Sequence, residues 1–425
     1  MNKEKLVIIF IIFLSLFSLI LRTYRLTEPN HYYFDEVYHA VTAKGYADNN
    51  PAAYNPFSPA PKEGTAYDWL HPPLAKLIQA GSIKIFGDVP LGWRLPSVII
   101  GTAIIPATFI LANILFGPIV AIFASTVIAF ENLTFVMTRI TMNDIFLTFF
   151  VIVSFIFASL YVKDKSRKNL LLTSVFLGLS LATKWPGLYA IAAITIYLLW
   201  DQIKSKRMDL RIFIPIFALP PIIYLASYGQ YWLQGHSIRQ FIDLHKQIWW
   251  YQHTRNLKHS YSTTPLHCVP EGLDGAKTWC PWVLNVRGVY FSYEQYGDKA
   301  GYIYALGNPL IFWVGIVAVS YLLGKFLEER KKEYAMVLLG YFIFWVPWIF
   351  TPRVMFLYHY LPSIPFLSIT LGFALTKMFR GPLIFLVLLI LGVFIASFFY
   401  FYPISSGYPI EVSAIDKYMW LKTWR

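Results

Sequence analysis

The chain has 425 residues, 57% of them hydrophobic and 14% charged, with a mean hydropathy of +0.51 and a formal net charge of +13. A soluble domain carries about a quarter charged residues, and here the apolar residues gather in long runs instead of alternating with polar ones. This excludes a cytosolic enzyme, a secreted disulfide scaffold and a disordered chain, and it predicts a polytopic membrane protein.

Taken in chain order, hydropathy predicts about eleven spans, near 6–21, 93–113, 118–138, 142–162, 170–183, 187–200, 211–230, 304–324, 335–350, 354–376 and 382–402. The first follows Met1–Lys5 and lacks a small-x-small cleavage site, so it reads as an uncleaved span. The fifth and sixth are short and fit tilted or half-buried helices. Loop charge supports the count: Lys163, Lys165, Arg167 and Lys168, then Lys204, Lys206, Arg207 and Arg211, then Lys325 and Arg330–Lys332, then Lys377 and Arg380 all fall on one side. That is the positive-inside pattern, and it accounts for the positive balance without nucleic acid.

Two long segments fall on the other side, about 22–92 and 231–303. In the first, His71-Pro-Pro opens a stretch to Phe86 whose Leu74, Leu77, Ile78, Ile85 and Phe86 interleave with Lys76 and Lys84, which predicts an amphipathic helix lying in the interface. The second is rich in Trp, Tyr and His and reads as an ordered loop over the membrane. Among its histidines, His245, His253, His259 and His267 are too loosely spaced to define a metal site. Cys268 and Cys280 lie on the same side and are compatible with a pair or with two free thiols.

Several polar residues are not explained by hydropathy. Asp35 and Glu36 are adjacent carboxylates among Tyr32, Tyr33, Phe34 and Tyr38. Neighbours on a helix point about 100° apart, so one acid can act on a reactant while the other holds a neighbour or a cation. An exposed acid pair is the plain alternative. The short outer loops each carry a cation at a helix end: Arg139, Lys184 and Arg353. Three cations on the acids' side fit an anion such as a phosphate headgroup, or simple snorkelling. Asp144 either caps its helix or pairs with Arg139. The run Tyr358-His359-Tyr360, before Pro362 and Pro365, sits in an apolar span, where an ionisable side chain faces either a functional cavity or a structural partner. His259-Ser-Tyr-Ser and Trp279-Cys-Pro-Trp282 offer stacking and hydrogen bonds to a polar substrate, or a rigid cap.

These pieces, in this order, resemble the protein O-mannosyltransferase family of membrane-embedded GT-C glycosyltransferases. The resemblance rests on Phe34-Asp-Glu-Val37, His71-Pro-Pro-Leu-Ala-Lys76, Glu131–Phe150, Thr183-Lys-Trp-Pro-Gly-Leu188, the His259 run, Gly307-Asn-Pro309 and Phe356–Pro362, and it spans about residues 10–400. It implies an all-α GT-C bundle, one membrane-embedded domain over residues 1–425, with interfacial helices in two enlarged outer loops. It also implies inverting transfer of mannose from a polyprenyl-phosphate donor to Ser or Thr hydroxyls of proteins, at the outer face of a prokaryotic plasma membrane. Asp35 matches the general base and Glu36 a residue that orients it or the acceptor. Arg353, Arg139, Lys184, His71 and His359 are then the candidate phosphate and donor contacts, with Tyr358, His259 and Trp282 facing the sugar or acceptor. No cofactor is needed by this scheme, and no metal site is assigned. Residues Leu266–Lys277 stretch the second outer loop relative to the family pattern, and the chain carries no extra soluble domain there. A glycolipid or envelope polymer as acceptor is the alternative. A flippase is the minor one, since repeated halves with broken helices are absent from the sequence.

Overall fold

The computed structural model describes residues 3–206, 208–253, 282–350 and 355–425, and the backbone of 261–263 and 268–270. The chain begins with α1 (Lys3–Thr23), an apolar helix packed against the fourth and fifth helices. The first long segment between spans holds α2 (Glu36–Ala47) and α3 (Leu74–Phe86). Then come α4 (Pro90–Phe116), α5 (Pro118–Ala129), the short α6 (Asn132–Met137) and α7 (Asp144–Asp164). The helices α8 (Arg167–Thr183), α9 (Gly187–Ser205) and α10 (Phe213–Ser227) follow, and α11 (Gly229–Leu233) leads to α12 (Ile238–His253) in the second long segment.

The described residues in the rest of that segment include short β-strands. A two-stranded ladder pairs β1 (Tyr261–Thr263) with β2 (Cys268–Pro270). An antiparallel hairpin pairs β3 (Val289–Tyr296) with β4 (Lys299–Ala305). The chain ends in α13 (Pro309–Glu329), α14 (Lys332–Phe342), α15 (Ile364–Met378) and α16 (Leu383–Ser406), and β5 (Ile410–Glu411) joins the hairpin edge.

Each of the predicted apolar segments contains a helix, and among the described residues eight helical stretches are long and apolar enough to cross a membrane. The protein is a multi-pass integral membrane protein. Two boundaries differ from expectation for a physical reason. The predicted span 118–138 is two helices, because the Glu131 side chain turns back to accept from the Leu133 and Thr134 N–H groups at 2.9 and 2.7 Å and so starts a new helix. The predicted span 304–324 begins in a strand, because Asn308 caps α13 only from Leu310 onward. Glu131 also accepts from the Asn308 N–H at 3.0 Å. This buried node leaves neither helix N-terminus with orphaned donors in an apolar interior.

The expected helical bundle is present, and the β3–β4 hairpin is added to it. The hairpin strands are rich in Tyr, Val, Phe and Ile, side chains that favour a pleated, half-buried surface. The bundle core centres on α7, the most deeply buried of the long helices. At one end of it, α2, α3, the α6–α7 turn and the α8–α9 turn converge, and the unusual polar residues are gathered there.

Candidate active site

Phe34 has a left-handed backbone, φ 48°. A non-glycine residue held there costs about 1 kcal/mol, and its ring pins it by stacking on Phe291 at 4.1 Å. The turn releases Asp35 at the N-terminus of α2, where its side chain makes no capping bond. Among the described residues the half-buried Asp35 carboxylate has no hydrogen-bond or ion-pair partner. Burial pushes its pKa up to about 6, while His39 and Lys184 pull it down and Asp68 and Asp144 push it further up.

Glu36 has the opposite environment. It is fully buried and takes the Arg94 guanidinium by two bonds, from Nε at 2.9 Å and Nη2 at 2.8 Å. It also accepts from the Thr141 N–H at 3.1 Å. Arg94 extends the grip to the carbonyls of Leu26, Pro29 and His31. The two adjacent acids thus divide as separate jobs would require, with Glu36 locking α2 to α4 and to the α6–α7 turn.

Lys184 ends α8, is buried, and donates to Asp144 at 2.8 Å. Its ammonium also stands 5.9 Å from the centre of the Tyr358 ring. Asp144 therefore pairs with Lys184 and not with Arg139. Tyr358 stacks on His359 at 4.8 Å, and His359 faces Trp282 at 6.3 Å. Lys184, His71, Trp185, Tyr189, Trp348 and Met355 line a hollow of about 400 Å³. Among the described residues its lining has one buried cation, the imidazoles of His71 and His253, and several aromatic rings.

His71 hydrogen-bonds Asp68 through Nδ1 at 2.9 Å. Burial lowers the His71 pKa to about 4, against the pull of Asp68, so the ring is neutral at neutral pH. Asp68 stays ionised despite its burial, because Lys76 donates to it at 2.9 Å and His71 and His39 flank it. Lys76 was expected on the polar side of an interfacial helix. The helix forms as expected, but Lys76 is fully buried and also donates to the Asp68 and His71 carbonyls at 2.5 and 3.2 Å. His39 Nδ1 lies 2.9 Å from Asp68, off the line of a good hydrogen bond. His39, Asp68 and His71 bring three donor atoms within 4.8 Å, a grouping that could hold a metal ion. The Lys76 ammonium already balances Asp68 there.

Arg139 is placed away from the hollow. Its guanidinium donates to the carbonyls of Arg22, Tyr24, Arg25 and Ser406 at 2.6, 2.8, 3.2 and 3.3 Å. It closes the C-terminal ends of α1 and α16, where unsatisfied carbonyls attract a cation. The expected phosphate contact at Arg139 is therefore replaced by a structural one. Arg353, His259 and Cys280 lie outside the described residues.

The structure thus brings Asp35, Lys184, His71, Tyr358, His359 and Trp282 to one end of the bundle and sets Glu36 and Arg139 behind them. Sequence reasoning missed Arg94, Asp68, His39 and the partner of Asp144. A signal existed for two of them: Asp68 precedes His71 by three residues just before α3, and Arg94 is a charge at the start of an apolar run.

The family model described as dolichyl-phosphate-mannose-protein mannosyltransferase matches residues 12–231, and that of the C-terminal four-transmembrane region of protein O-mannosyltransferase matches residues 237–424. The chain is a GT-C-type membrane glycosyltransferase by fold, and it belongs to the protein O-mannosyltransferase family. It is similar to a polyprenol-phosphate-mannose–protein mannosyltransferase of Corynebacterium glutamicum, 25% identical over 84% of this chain and 81% of the relative. A protein of the same description from Mycobacterium tuberculosis is 24% identical over 94% of this chain and 88% of that relative. The fold is also that of the Saccharomyces cerevisiae protein O-mannosyltransferase Pmt1–Pmt2 complex bound to the sugar donor, with TM-score 0.78, 16% identity, and coverage of 100% of this chain and 93% of that one.

Proposed function

We propose that this protein transfers mannose, with inversion, from a polyprenyl-phosphate donor to Ser or Thr hydroxyls of proteins at the outer face of the membrane. The observation that carries the reading is a half-buried Asp35, without a partner among the described residues, that lies within electrostatic reach of Lys184, the buried cation lining the hollow.

The chemistry requires both. As the acceptor oxygen bonds to the anomeric carbon, its hydroxyl proton must leave, and the Asp35 carboxylate takes it. The bond from that carbon to the phosphate oxygen breaks, and the leaving phosphate gains a negative charge. Lys184 stabilises that charge, so no acid is needed to protonate the leaving group. Neutral His71, oriented by Asp68, offers hydrogen bonds to the sugar or phosphate without repelling Lys184. Tyr358, His359 and Trp282 supply flat faces for the sugar. Glu36 acts as a positioning residue through Arg94. A second, wholly apolar groove of about 440 Å³, lined by Trp200, Phe326, Leu339 and Phe342, shares Pro347 with the hollow. It suits the first isoprene units of a lipid carrier.

The test is purified protein given polyprenyl-phosphate mannose and Ser/Thr peptides, comparing wild type with Asp35→Asn. Mannosyl-peptide formed by the wild type and lost in a folded variant supports the reading. Mannose found only on lipid transfers the reading to a lipid acceptor, and a fully active variant overturns Asp35 as the base.

A further inference from the structure

Helix α7 rises from Asp144, beside the hollow, and α8 returns to Lys184, so the α7–α8 turn lies at the far end of the bundle. A helix of about 20 residues spans about 30 Å. At that far end a cavity of about 950 Å³ opens between α7, α8, α9 and the start of α10. Its rim carries Lys165, Arg167 and Arg211, and Leu171, Ile212 and Ile214 form apolar wall.

The wall is built, not a gap between loose loops. The Gln202 side chain is buried and clamps the backbone of Asp209 from both sides, donating to its carbonyl at 3.1 Å and accepting its N–H at 2.7 Å. Asp209 in turn holds Arg211 at 2.9 Å, and Lys165 is held by Asp201 at 2.7 Å. The exposed Arg167 guanidinium has no hydrogen-bond or ion-pair partner among the described residues. The rim therefore keeps positive charge beyond what its acids balance.

The apolar wall continues out of the cavity along α10. Ile214, Phe217, Ile222 and Leu225 are 64, 55, 58 and 46% exposed, a strip that meets acyl chains in a bilayer. A soluble anion would use the rim and leave the wall and strip uncovered. A molecule with an anionic headgroup and two hydrocarbon tails covers all three.

We infer that this cavity is a binding site for the headgroup of an anionic glycerophospholipid, with the phosphodiester against Arg167 and Arg211 and the tails along α10. The leaflet is the inner one if the Asp35 end faces outward, which rests on the proposed function. The binding itself does not, because it is measured without donor or acceptor.

Native mass spectrometry of the full chain in detergent, titrated with phosphatidylglycerol or phosphatidylcholine, tests the site. One phosphatidylglycerol is expected to remain bound under conditions that strip phosphatidylcholine. Each cation removed should weaken retention about fivefold, so the doubly substituted Arg167→Gln, Arg211→Gln protein should lose it about 25-fold while Arg167→Lys, Arg211→Lys retains it. Both rim positions are exposed, and unchanged thermal unfolding in phosphatidylcholine confirms that the variants fold. Equal retention of the two lipids, or full retention by the Gln variant, overturns the assignment. So does inorganic phosphate raising the melting temperature as much as phosphatidylglycerol does. Lipid retention without mannosyl transfer overturns the enzymatic reading alone.

Discussion

The Glu36 carboxylate takes the Arg94 guanidinium through two bonds of 2.9 and 2.8 Å, joining residues 58 positions apart with both side chains fully buried. This fork fixes the orientation of α2 and so determines where Asp35, one residue earlier, can point. Removing one partner of a buried pair leaves an uncompensated charge, at a cost of about 3–5 kcal/mol. Glu36→Gln is therefore expected to lower the thermal unfolding temperature in detergent strongly. Arg94→Lys should do nearly the same, since an ammonium cannot reproduce the fork.

Asp35→Asn should behave in the opposite way. Loss of a general base reduces turnover about 10²–10⁴-fold. Stability should hold or rise. The folded-state pKa near 6 lies above the ordinary value of 3.8, so the folded state binds the proton more tightly than the unfolded chain. The penalty on folding is present above about pH 6 and fades as the pH falls through that value, and the amide removes it. A neutral-pH melting temperature well below wild type would contradict this account.

The rate should depend on pH in a matching way. Turnover should climb about tenfold per unit below pH 6 and level off above it, as Asp35 ionises. In Lys184→Gln a nearby positive charge that favours the carboxylate is gone, so the midpoint should move upward. A profile of wild type that is flat between about pH 5 and 8 would remove Asp35 as the proton acceptor.

Lys184→Gln should also reduce turnover about 10²-fold, more than it raises the donor KM, because the leaving phosphate gains its charge only as the bond breaks. Steady-state kinetics on a fixed acceptor peptide separates the two constants. An effect confined to the donor KM would make Lys184 a ground-state contact.

Arg139→Met tests the structural role of Arg139. Its charged hydrogen bonds to the ends of α1 and α16 should be worth about 2–4 kcal/mol together. Thermal unfolding should drop while the donor KM of the folded fraction stays at the wild-type value. A raised KM with unchanged stability would return Arg139 to the phosphate.

What could be read from the linear chain was whatever depends on neighbours in sequence. Long apolar runs specify membrane helices because every backbone group must be satisfied within the segment. Prolines at 72 and 73 mark the start of α3, and the ordered motifs from Phe34 to Pro362 indicate the family. What only the folded chain decided was pairing at a distance. Asp35 and Glu36 are equivalent on paper, and Arg94 across the bundle leaves one free and consumes the other. Arg139 and Lys184 are each a lone cation at a helix end, yet carbonyls of α1 and α16 claim the first, while Asp144, 40 residues away, holds the second at the hollow. A charge in a low-dielectric interior is bound to find its partner, and which partner lies within reach is fixed by helix packing, which hydropathy does not encode.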